Sequence, residues 1–294
     1  MPNNTLKNGF RLLETMARQP RPWSVAELAA HLALPRSHVH RLLTTLVELG
    51  YLTRPRGSQA ARGARRYQVD VKLFELAGAL AAEQPLRRMS GAVLRRLADQ
   101  TRGSAYLIVW HDEAPLILAA DHFGGRRTGE AFDVGKRLDR YTTASGRLFL
   151  ALRMTPGDLE TLLVGGTRGE LPAKIDAERL RGDLATIRAT SFAEILNPAA
   201  WALPVYDRDE QLIAAIGLVV SVERRAAEGA GPFIRAAAEA ARQLSAALGS
   251  MRVYAVDPDA GVLHASSGPP LTVGPPAVPA EAASASATAQ AQRG

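Results

Sequence analysis

Residues 24–50, SVAELAAHLALPRSHVHRLLTTLVELG, decide the fold of the N-terminal part of the chain. Ser24 and Glu27 stand at the spacing of a capping box, in which each side chain accepts a hydrogen bond from the backbone amide of the other residue. A helix is therefore predicted to begin at Val25 and to run to about Leu32. After a short turn, apolar residues recur at helical spacing until a glycine, which predicts another helix. Two short helices joined in this way are typical of a helix-turn-helix.

The helix that follows the turn has an apolar face and a polar face. Its apolar stripe predicts the side that is buried in the domain. The stripe consists of Val39, Leu42, Leu43 and Leu46. Because each residue rotates the helix by about 100°, the opposite side can be read from the sequence. It carries Ser37, Arg41, Thr44 and Glu48, with His38 and His40 at its margins. This polar side is predicted to meet DNA.

Two short strands are predicted after this helix, at Tyr51–Thr53 and Arg66–Val69, around a loop rich in Gly, Ala and Arg. This arrangement is the wing of a winged helix-turn-helix. Its arginines have no acidic residue between them, so we expect contacts with phosphates or with the minor groove. The candidate DNA contacts are Arg36, Ser37, His38, His40, Arg41, Thr44, Arg54, Arg56, Arg62, Arg65 and Arg66.

Helices are also predicted on both sides of these elements. An N-terminal amphipathic helix, which stops before Pro20, is indicated by four apolar residues on one face. These are Leu6, Phe10, Leu13 and Ala17. A connecting helix before Pro85 is indicated by a similar stripe of Leu73, Leu76, Ala77 and Leu80. We therefore predict a winged helix-turn-helix domain over residues 1–70 and a linker helix over residues 71–84.

Composition and charge restrict the function further. With 294 residues, 47% of them hydrophobic, the chain is long enough for two cores and has no apolar run of membrane-spanning length. Residues 1–84 hold 12 Lys and Arg against 6 Asp and Glu, whereas residues 85–294 hold 24 against 23. A basic segment beside a nearly neutral one predicts a polyanionic partner, here double-stranded DNA. There is no cysteine and no signal-peptide pattern, so we expect a cytoplasmic protein without membrane contact.

Residues 85–252 predict a second domain, so the chain is of the α+β class with two domains, the second built on an antiparallel sheet. Strand patterns lie at 105–110, 115–120, 201–206 and 212–221. Helical patterns lie at 86–97, 143–153, 156–163, 173–188 and 232–248. Beyond Arg252 the sequence is rich in Ala, Pro and Ser with few charges or large apolar residues, which predicts a disordered tail over residues 253–294.

Three local patterns resemble the IclR-type family of transcriptional regulators. Residues 34–43, LPRSHVHRLL, with LGY at 49–51, resemble the family's recognition helix, although His38 stands where a threonine is usual. Residues 143–147, TASGR, resemble its loop-to-helix segment, and residues 202–207, ALPVYD, resemble its A-A-P-V-F-D strand. By the order and spacing of these patterns, the chain is identified as a member of this family.

The resemblance implies a GAF-like effector domain, a homodimer or tetramer, and a pocket on the sheet face for a small organic acid. The backbone amides of Ala144, Ser145 and Gly146 would begin a helix there, where free N–H groups favour an anion. Family ligand positions correspond here to Ser191 or Phe192, Ala200, Gly217 and Val219. Because these residues offer few polar groups, we predict a roomy, apolar pocket for an aromatic acid. Trp201 and Leu203 are predicted as further walls.

Two other functions compete with an effector-responsive regulator. An enzyme is not favoured, because no nucleophile elbow or phosphate loop is present; we predict no catalytic residue and no cofactor. The histidines lack ligand-type spacing, so no metal site is predicted. A regulator whose second domain only forms oligomers stays an alternative, since Gly217 and Val219 stand where family members carry polar residues.

Overall fold

The computed structural model describes residues 3–55, 65–83, 85–125, 132–163, 172, 175–252, 254–256 and 263–265. The chain divides into two compact units, Met1–Pro85 and Leu86–Gly294. Each unit has a hydrophobic core of its own. Across the described ranges, no helix is both long and apolar enough to cross a membrane.

The first unit contains the predicted helix-turn-helix. Its helices are α1 (Asn4–Arg18), α2 (Val25–Leu32) and α3 (Arg36–Glu48). The capping box is present: the Glu27 amide donates to Ser24 Oγ at 3.2 Å, and the Ser24 amide donates to Glu27 Oε2 at 2.7 Å. The predicted stripe of α3 is buried in full, as Val39, Leu42, Leu43 and Leu46. The periodic spacing of α3 therefore predicted its buried face correctly.

The buried face of α1 differs from the predicted one. Leu12 and Met16 are buried, whereas Leu6 and Phe10 are 60% and 59% exposed. Apolar residues stand at helical spacing on both faces, so periodicity alone does not choose between them. The face with Leu12 also carries Gly9, where an added Cβ would lie 3.8 Å from the nearest atom of α3. α1 therefore packs on α3 through the side that carries Gly9 and Leu12.

A three-stranded sheet completes the winged fold. It consists of β1 (Trp23–Ser24), β2 (Leu52–Thr53) and β3 (Arg66–Val69), in the order β1-β3-β2. The sequence did not predict β1, which is two residues long and ends at Ser24, the first residue of the capping box. Trp23 pairs with Tyr67 across β1 and β3, and both side chains are buried in the core of the unit.

A helix, α4 (Lys72–Glu83), occupies the predicted connecting segment and belongs to the first unit. The Lys72 ammonium group donates to the carbonyl oxygen of Leu49 at 2.7 Å, which fixes the start of the helix. Most of the described side chains of α4 are exposed, including Phe74 at 78% and Leu76 at 46%.

The second unit is built on a five-stranded antiparallel sheet, as predicted for the α+β class. Its strands follow the order β5-β4-β8-β7-β6. They are β4 (Ser104–His111), β5 (Ala114–His122), β6 (Ala193–Ile195), β7 (Ala199–Tyr206) and β8 (Leu212–Val220). The short edge strand β6 was not predicted, because three residues are too few to show an alternating pattern.

Helices cover both faces of this sheet. They are α5 (Pro85–Thr101), α6 (Ala144–Arg153), α7 (Pro156–Leu163), α8 (Ala177–Thr190), α9 (Val222–Glu228) and α10 (Gly231–Ala247). Trp201 of β7 stacks on Phe233 of α10 with ring centroids 5.3 Å apart, so this side chain and its alternate neighbours face α10. α6 packs on the opposite face, and α8 packs on α6. The start of α8 was predicted too early, because Asp176 caps the helix through the amide of Arg179 at 3.1 Å.

Two short strands lie within the segment that the sequence predicted to be a disordered tail. β9 (Tyr254–Val256) pairs with β10 (Leu263–Ala265) in an antiparallel arrangement. The sequence between them contains Asp257, Pro258 and Gly261, residue types that favour turns. The Ala- and Pro-rich composition of the tail as a whole led to a prediction without strands there.

Candidate functional site

α3 presents a polar and cationic face at the surface of the first unit. Arg36, Ser37, His40 and Arg41 are exposed. Thr44 is half-buried, and its hydroxyl group donates to the carbonyl oxygen of His40 at 3.0 Å. Because the buried stripe lies on the other side of the helix, these side chains can approach DNA without disturbing the core. Arginine and small polar side chains in this position are suited to base edges in the major groove.

His38 lies between α1 and this polar face. Its Nε2 atom is 3.3 Å from Asn8 Nδ2, and its Nδ1 atom is 3.4 Å from Arg41 Nη2. The ring is half-buried. His38 therefore contacts two polar side chains of its own unit, one of which, Arg41, is itself a predicted DNA contact.

Arg66 is held within the wing. Its Nη1 atom donates to the carbonyl oxygen of Pro22 at 3.0 Å and lies 3.6 Å from Glu27 Oε2. Hydrogen bonds from the backbone amide and the hydroxyl group of Ser24 lower the pKa of Glu27, and Arg21 and Arg66 act in the same direction. Glu27 is therefore ionised beside Arg66 at neutral pH, so the pair offers a phosphate less net positive charge than an unpaired arginine would.

The remaining wing arginines are placed differently. Arg65 and Arg54 are exposed, and the Arg54 guanidinium lies 5.7 Å from the ring centroid of Tyr67. This distance is within the range of a cation–π contact. Arg56 and Arg62 lie outside the described residues.

A cavity of about 230 Å³ lies in the second unit, between the sheet and the start of α6. Its walls are mainly apolar and include Tyr106, Ile108, Phe132, Leu138, Ile195, Pro198, Ala200, Gly217 and Val219. Polar side chains line it at Thr142, Thr143, Ser145 and Asn197. Among the described residues that line the cavity, none carries a charge. An anion in this space would therefore depend on backbone amides, hydroxyl groups and the side-chain amide of Asn197.

The start of α6 supplies such amides. Thr143 is the N-cap, and its hydroxyl oxygen accepts a hydrogen bond from the amide of Gly146 at 3.1 Å. The amides of Ala144 and Ser145 lie in the first turn, where N–H groups have no acceptor within the helix. Ala144 and Ser145 line the cavity, whereas Gly146 does not. Two of the three predicted helix-start residues are thus brought to the cavity.

The turn before α6 is ordered by its own hydrogen bonds. The amides of Tyr141 and Thr142 both donate to Asp139 Oδ1 at 2.8 Å. Gly146 permits this turn to cross the helix closely, because a Cβ there would lie 2.5 Å from the Cα atom and carbonyl oxygen of Arg140. No side chain fits at that distance from backbone, so Gly146 shapes the site without lining it.

Small residues on the sheet create the space. Gly217 of β8 pairs with Tyr106 of β4 and with Ala202 of β7. Val219 of β8 pairs with Ala200 of β7, two residues away in each strand, and both side chains lie on the same face of the sheet as Gly217. The predicted positions Ala200, Gly217 and Val219 are therefore brought together at the cavity.

The other predicted wall residues are placed differently. Trp201 borders the cavity, yet its ring stacks on Phe233 on the opposite face of the sheet. Leu203 shares that opposite face by strand alternation, and it does not line the cavity. Ser191 and Phe192, at the end of α8, do not line it either. For Leu203, Ser191 and Phe192, the placement differs from the prediction.

The sequence analysis missed several cavity residues. Tyr106 stands in a predicted strand, and the alternation of β4 together with its pairing to β8 identifies its face. Phe132 and Leu138 lie in an irregular segment before α6, which has no periodic pattern to reveal them. In the described part of the chain, no group of three or more His, Asp and Glu side chains is placed to hold a metal ion.

Two family models match the chain. The IclR helix-turn-helix domain matches residues 5–56, and the C-terminal domain of the bacterial transcriptional regulator IclR matches residues 79–246. The fold and these matches define a transcriptional regulator with an N-terminal DNA-binding unit and a C-terminal effector domain. The chain belongs to the IclR family, as the sequence patterns predicted.

Individual relatives agree with this assignment. The Pca regulon regulatory protein of Pseudomonas putida is 26% identical over 230 residues, 75% of each chain. The transcriptional repressor IclR of Escherichia coli is 25% identical over 256 residues, 84% of this chain and 91% of that protein. A solved structure of an IclR homologue from Microbacterium hydrocarbonoxydans, complexed with 4-hydroxybenzoate, has a TM-score of 0.67 at 23% identity, and covers 83% of this chain and 98% of that one. The family consists of regulators of transcription, and this chain is not an enzyme.

Proposed function

We propose that the protein binds a specific operator through α3 and the wing, and that an aromatic carboxylic acid bound in the cavity beside α6 changes this binding. The observation that carries the proposal is the cavity, which joins apolar walls to a helix N-terminus. The helix N-terminus would bind the carboxylate of an aromatic acid, and the apolar walls would contact its ring.

The carboxylate would lie at the start of α6. The amides of Ala144 and Ser145 and the positive end of the helix dipole favour a negative charge there. The hydroxyl group of Ser145, which is buried, supplies a further donor. A single carboxylate matches this small set of donors.

The aromatic part of the ligand would fill the apolar remainder. Tyr106 and Phe132 contribute rings whose centroids are 6.3 Å apart, and Gly217 adds no side chain to the neighbouring wall. A two-carbon or three-carbon acid would leave these apolar walls uncovered and lose the contribution of their burial. The homologue complexed with 4-hydroxybenzoate supports the same class of ligand here.

A thermal-shift screen tests the proposal. Benzoate and 4-hydroxybenzoate are expected to raise the melting temperature, whereas glyoxylate and pyruvate are not, because a ligand stabilises the native state that binds it. The acids that stabilise the protein are then added to a complex with an operator selected from random DNA. A change in operator affinity supports the proposal. Absence of any stabilisation by aromatic acids contradicts it and favours a second domain that only forms oligomers.

We also infer that the protein works as a homo-oligomer, at least a dimer, in the cytoplasm, where the chromosome lies. Leu6 and Phe10 of α1 and Phe74 of α4 are large apolar side chains left exposed in the first unit. Pairing of two copies would cover such side chains and present two copies of α3 to a palindromic site. Light scattering after gel filtration measures the mass, and Phe10→Ser with Phe74→Ser is expected to reduce it. Leu49→Ser, another exposed apolar position of this unit, is the control.

A further inference from the structure

We propose that Arg147 is a positioning residue for the carboxylate end of the cavity, and that it acts through the turn that precedes α6. The inference rests on the proposed function, because it concerns how the same cavity holds an acid. Arg147 does not line the cavity, so its role would be exerted through backbone that does.

The guanidinium of Arg147 bridges two segments of the second unit. Its Nε atom donates to the carbonyl oxygen of Tyr141 at 2.7 Å. Its Nη1 atom donates to Asp183 Oδ2 on α8, also at 2.7 Å. The Arg147 side chain is 21% exposed and that of Asp183 is 37% exposed, so the pair is partly shielded from solvent. Both of its partners are held at short distances by one planar group.

The carbonyl of Tyr141 belongs to the turn that shapes the polar end of the cavity. The residues that follow it, Thr142 and Thr143, line the cavity, and Thr143 also caps α6. The carboxylate of Asp139 already holds the turn, because it accepts hydrogen bonds from the amides of Tyr141 and Thr142. Arg147 holds the same turn through a carbonyl group, so the peptide planes that lead into α6 are fixed from both sides.

Helix α8 provides the fixed support for this bridge. At the other end of α6, Arg188 of α8 donates to the carbonyl oxygens of Ala151 at 2.8 Å and Met154 at 3.1 Å. α8 is thus bonded to both ends of α6, and Asp183 with Arg147 forms the link at the end that faces the ligand. A cation in the first turns of a helix is unfavourable for the helix dipole, so helix stability alone does not explain an arginine here.

The test compares an acid with its neutral amide. Affinities of benzoate, 4-hydroxybenzoate and their primary amides are measured by calorimetry for the wild-type protein, Arg147→Met and Asp183→Asn. Arg181→Met is the matched control, because Arg181 of α8 pairs with Glu160 and Glu178 and does not line the cavity. Loss of the bridge should weaken the acids by about tenfold, the scale of one charge-assisted hydrogen bond, and the amides much less. Asp183→Asn should show a smaller loss of the same kind.

Each outcome decides the inference. Equal weakening of acid and amide would assign Arg147 a general structural role, and unchanged acid binding would remove any role. If the amides do not bind measurably, the comparison uses the acids alone. Weaker acid binding by Arg147→Met but not by Arg181→Met then supports the inference, and equal weakening in both variants overturns it. If Arg147→Met does not fold, Asp183→Asn carries the same comparison. Failure of the wild-type protein to bind either acid would instead overturn the proposed function itself.

Discussion

Gly217 of β8 lies directly across from Tyr106 of β4, and a Cβ at Gly217 would stand 3.4 Å from the Cβ atom of Tyr106. The same Cβ would lie 2.8 Å from Cδ1 of Ile108, the end of a flexible side chain. The absence of a side chain at Gly217 thus makes room for the Ile108 side chain, and Gly217 itself adds no bulk to this wall of the cavity. Any larger residue there would occupy space that the proposed ligand needs.

Gly217→Phe should therefore abolish the response to aromatic acids while the protein still binds its operator. Overpacking in a core costs about 1–3 kcal/mol, which a folded domain can sustain. Calorimetry measures the affinity for the aromatic acid. The operator affinity measured without acid shows whether the DNA-binding unit is intact. Gly91→Phe is the control, because nothing lies within 4 Å of a Cβ at Gly91. A normal ligand response in Gly217→Phe would contradict the placement of the effector in this cavity.

Arg41→Ala and Ser37→Ala should weaken specific DNA binding without unfolding the first unit. Both side chains are exposed on the face of α3 opposite its buried stripe. Loss of an arginine contact to a base should cost about 1–3 kcal/mol, measured as operator affinity against a scrambled sequence. Arg18→Ala removes the same charge from the end of α1 and is the control. Parent-like operator affinity in Arg41→Ala would show that this face of α3 does not read the DNA.

The sequence predicted those features that depend on neighbouring residues. The capping box at Ser24 and the stripe of α3 follow from spacing within one helix, and both are present in the structure. The cavity depends on strand alternation and on pairing between distant strands. The prediction placed Trp201 and Leu203 in the same wall as Ala200, although adjacent strand residues face opposite sides. Alternation alone could have excluded Leu203, whereas Phe132 required the folded structure.

Wing arginines should differ in their effect on the salt dependence of DNA binding. Each lost phosphate contact flattens the plot of log affinity against log salt by about 0.9. We expect this change for Arg65→Ala and Arg62→Ala. Arg66→Ala should change the slope less and lower the melting temperature instead, because Arg66 is bonded to Pro22 and paired with Glu27. Equal slopes for the parent protein and Arg65→Ala would show that this part of the wing does not contact phosphate.

Glu210 holds the segment that follows α10 against the second unit. Its carboxylate accepts hydrogen bonds from Ser250 Oγ at 3.1 Å, from the amide of Met251 at 2.9 Å and from Arg252 Nε at 2.7 Å. Burial alone would raise the pKa of Glu210, but these three donors outweigh it and hold the pKa below its ordinary value. The ionised form is therefore the one that the folded state favours.

Glu210→Gln should lower the melting temperature at pH 7, because the amide accepts weaker hydrogen bonds and has no charge for Arg252. The Glu210 side chain is 34% exposed, so solvent screening limits the effect to about 1 kcal/mol, or about 2–4 °C for a domain of this size. A carboxyl group with a lowered folded-state pKa stabilises the protein above its unfolded pKa, and this stabilisation is lost as the pH falls through the folded value. The gap between parent and variant should consequently close in acid. Asp209→Asn, whose side chain is 73% exposed, is the control for a neighbouring charge. A gap of the same size at pH 7 and below the folded pKa would show that the ionised carboxylate contributes nothing here.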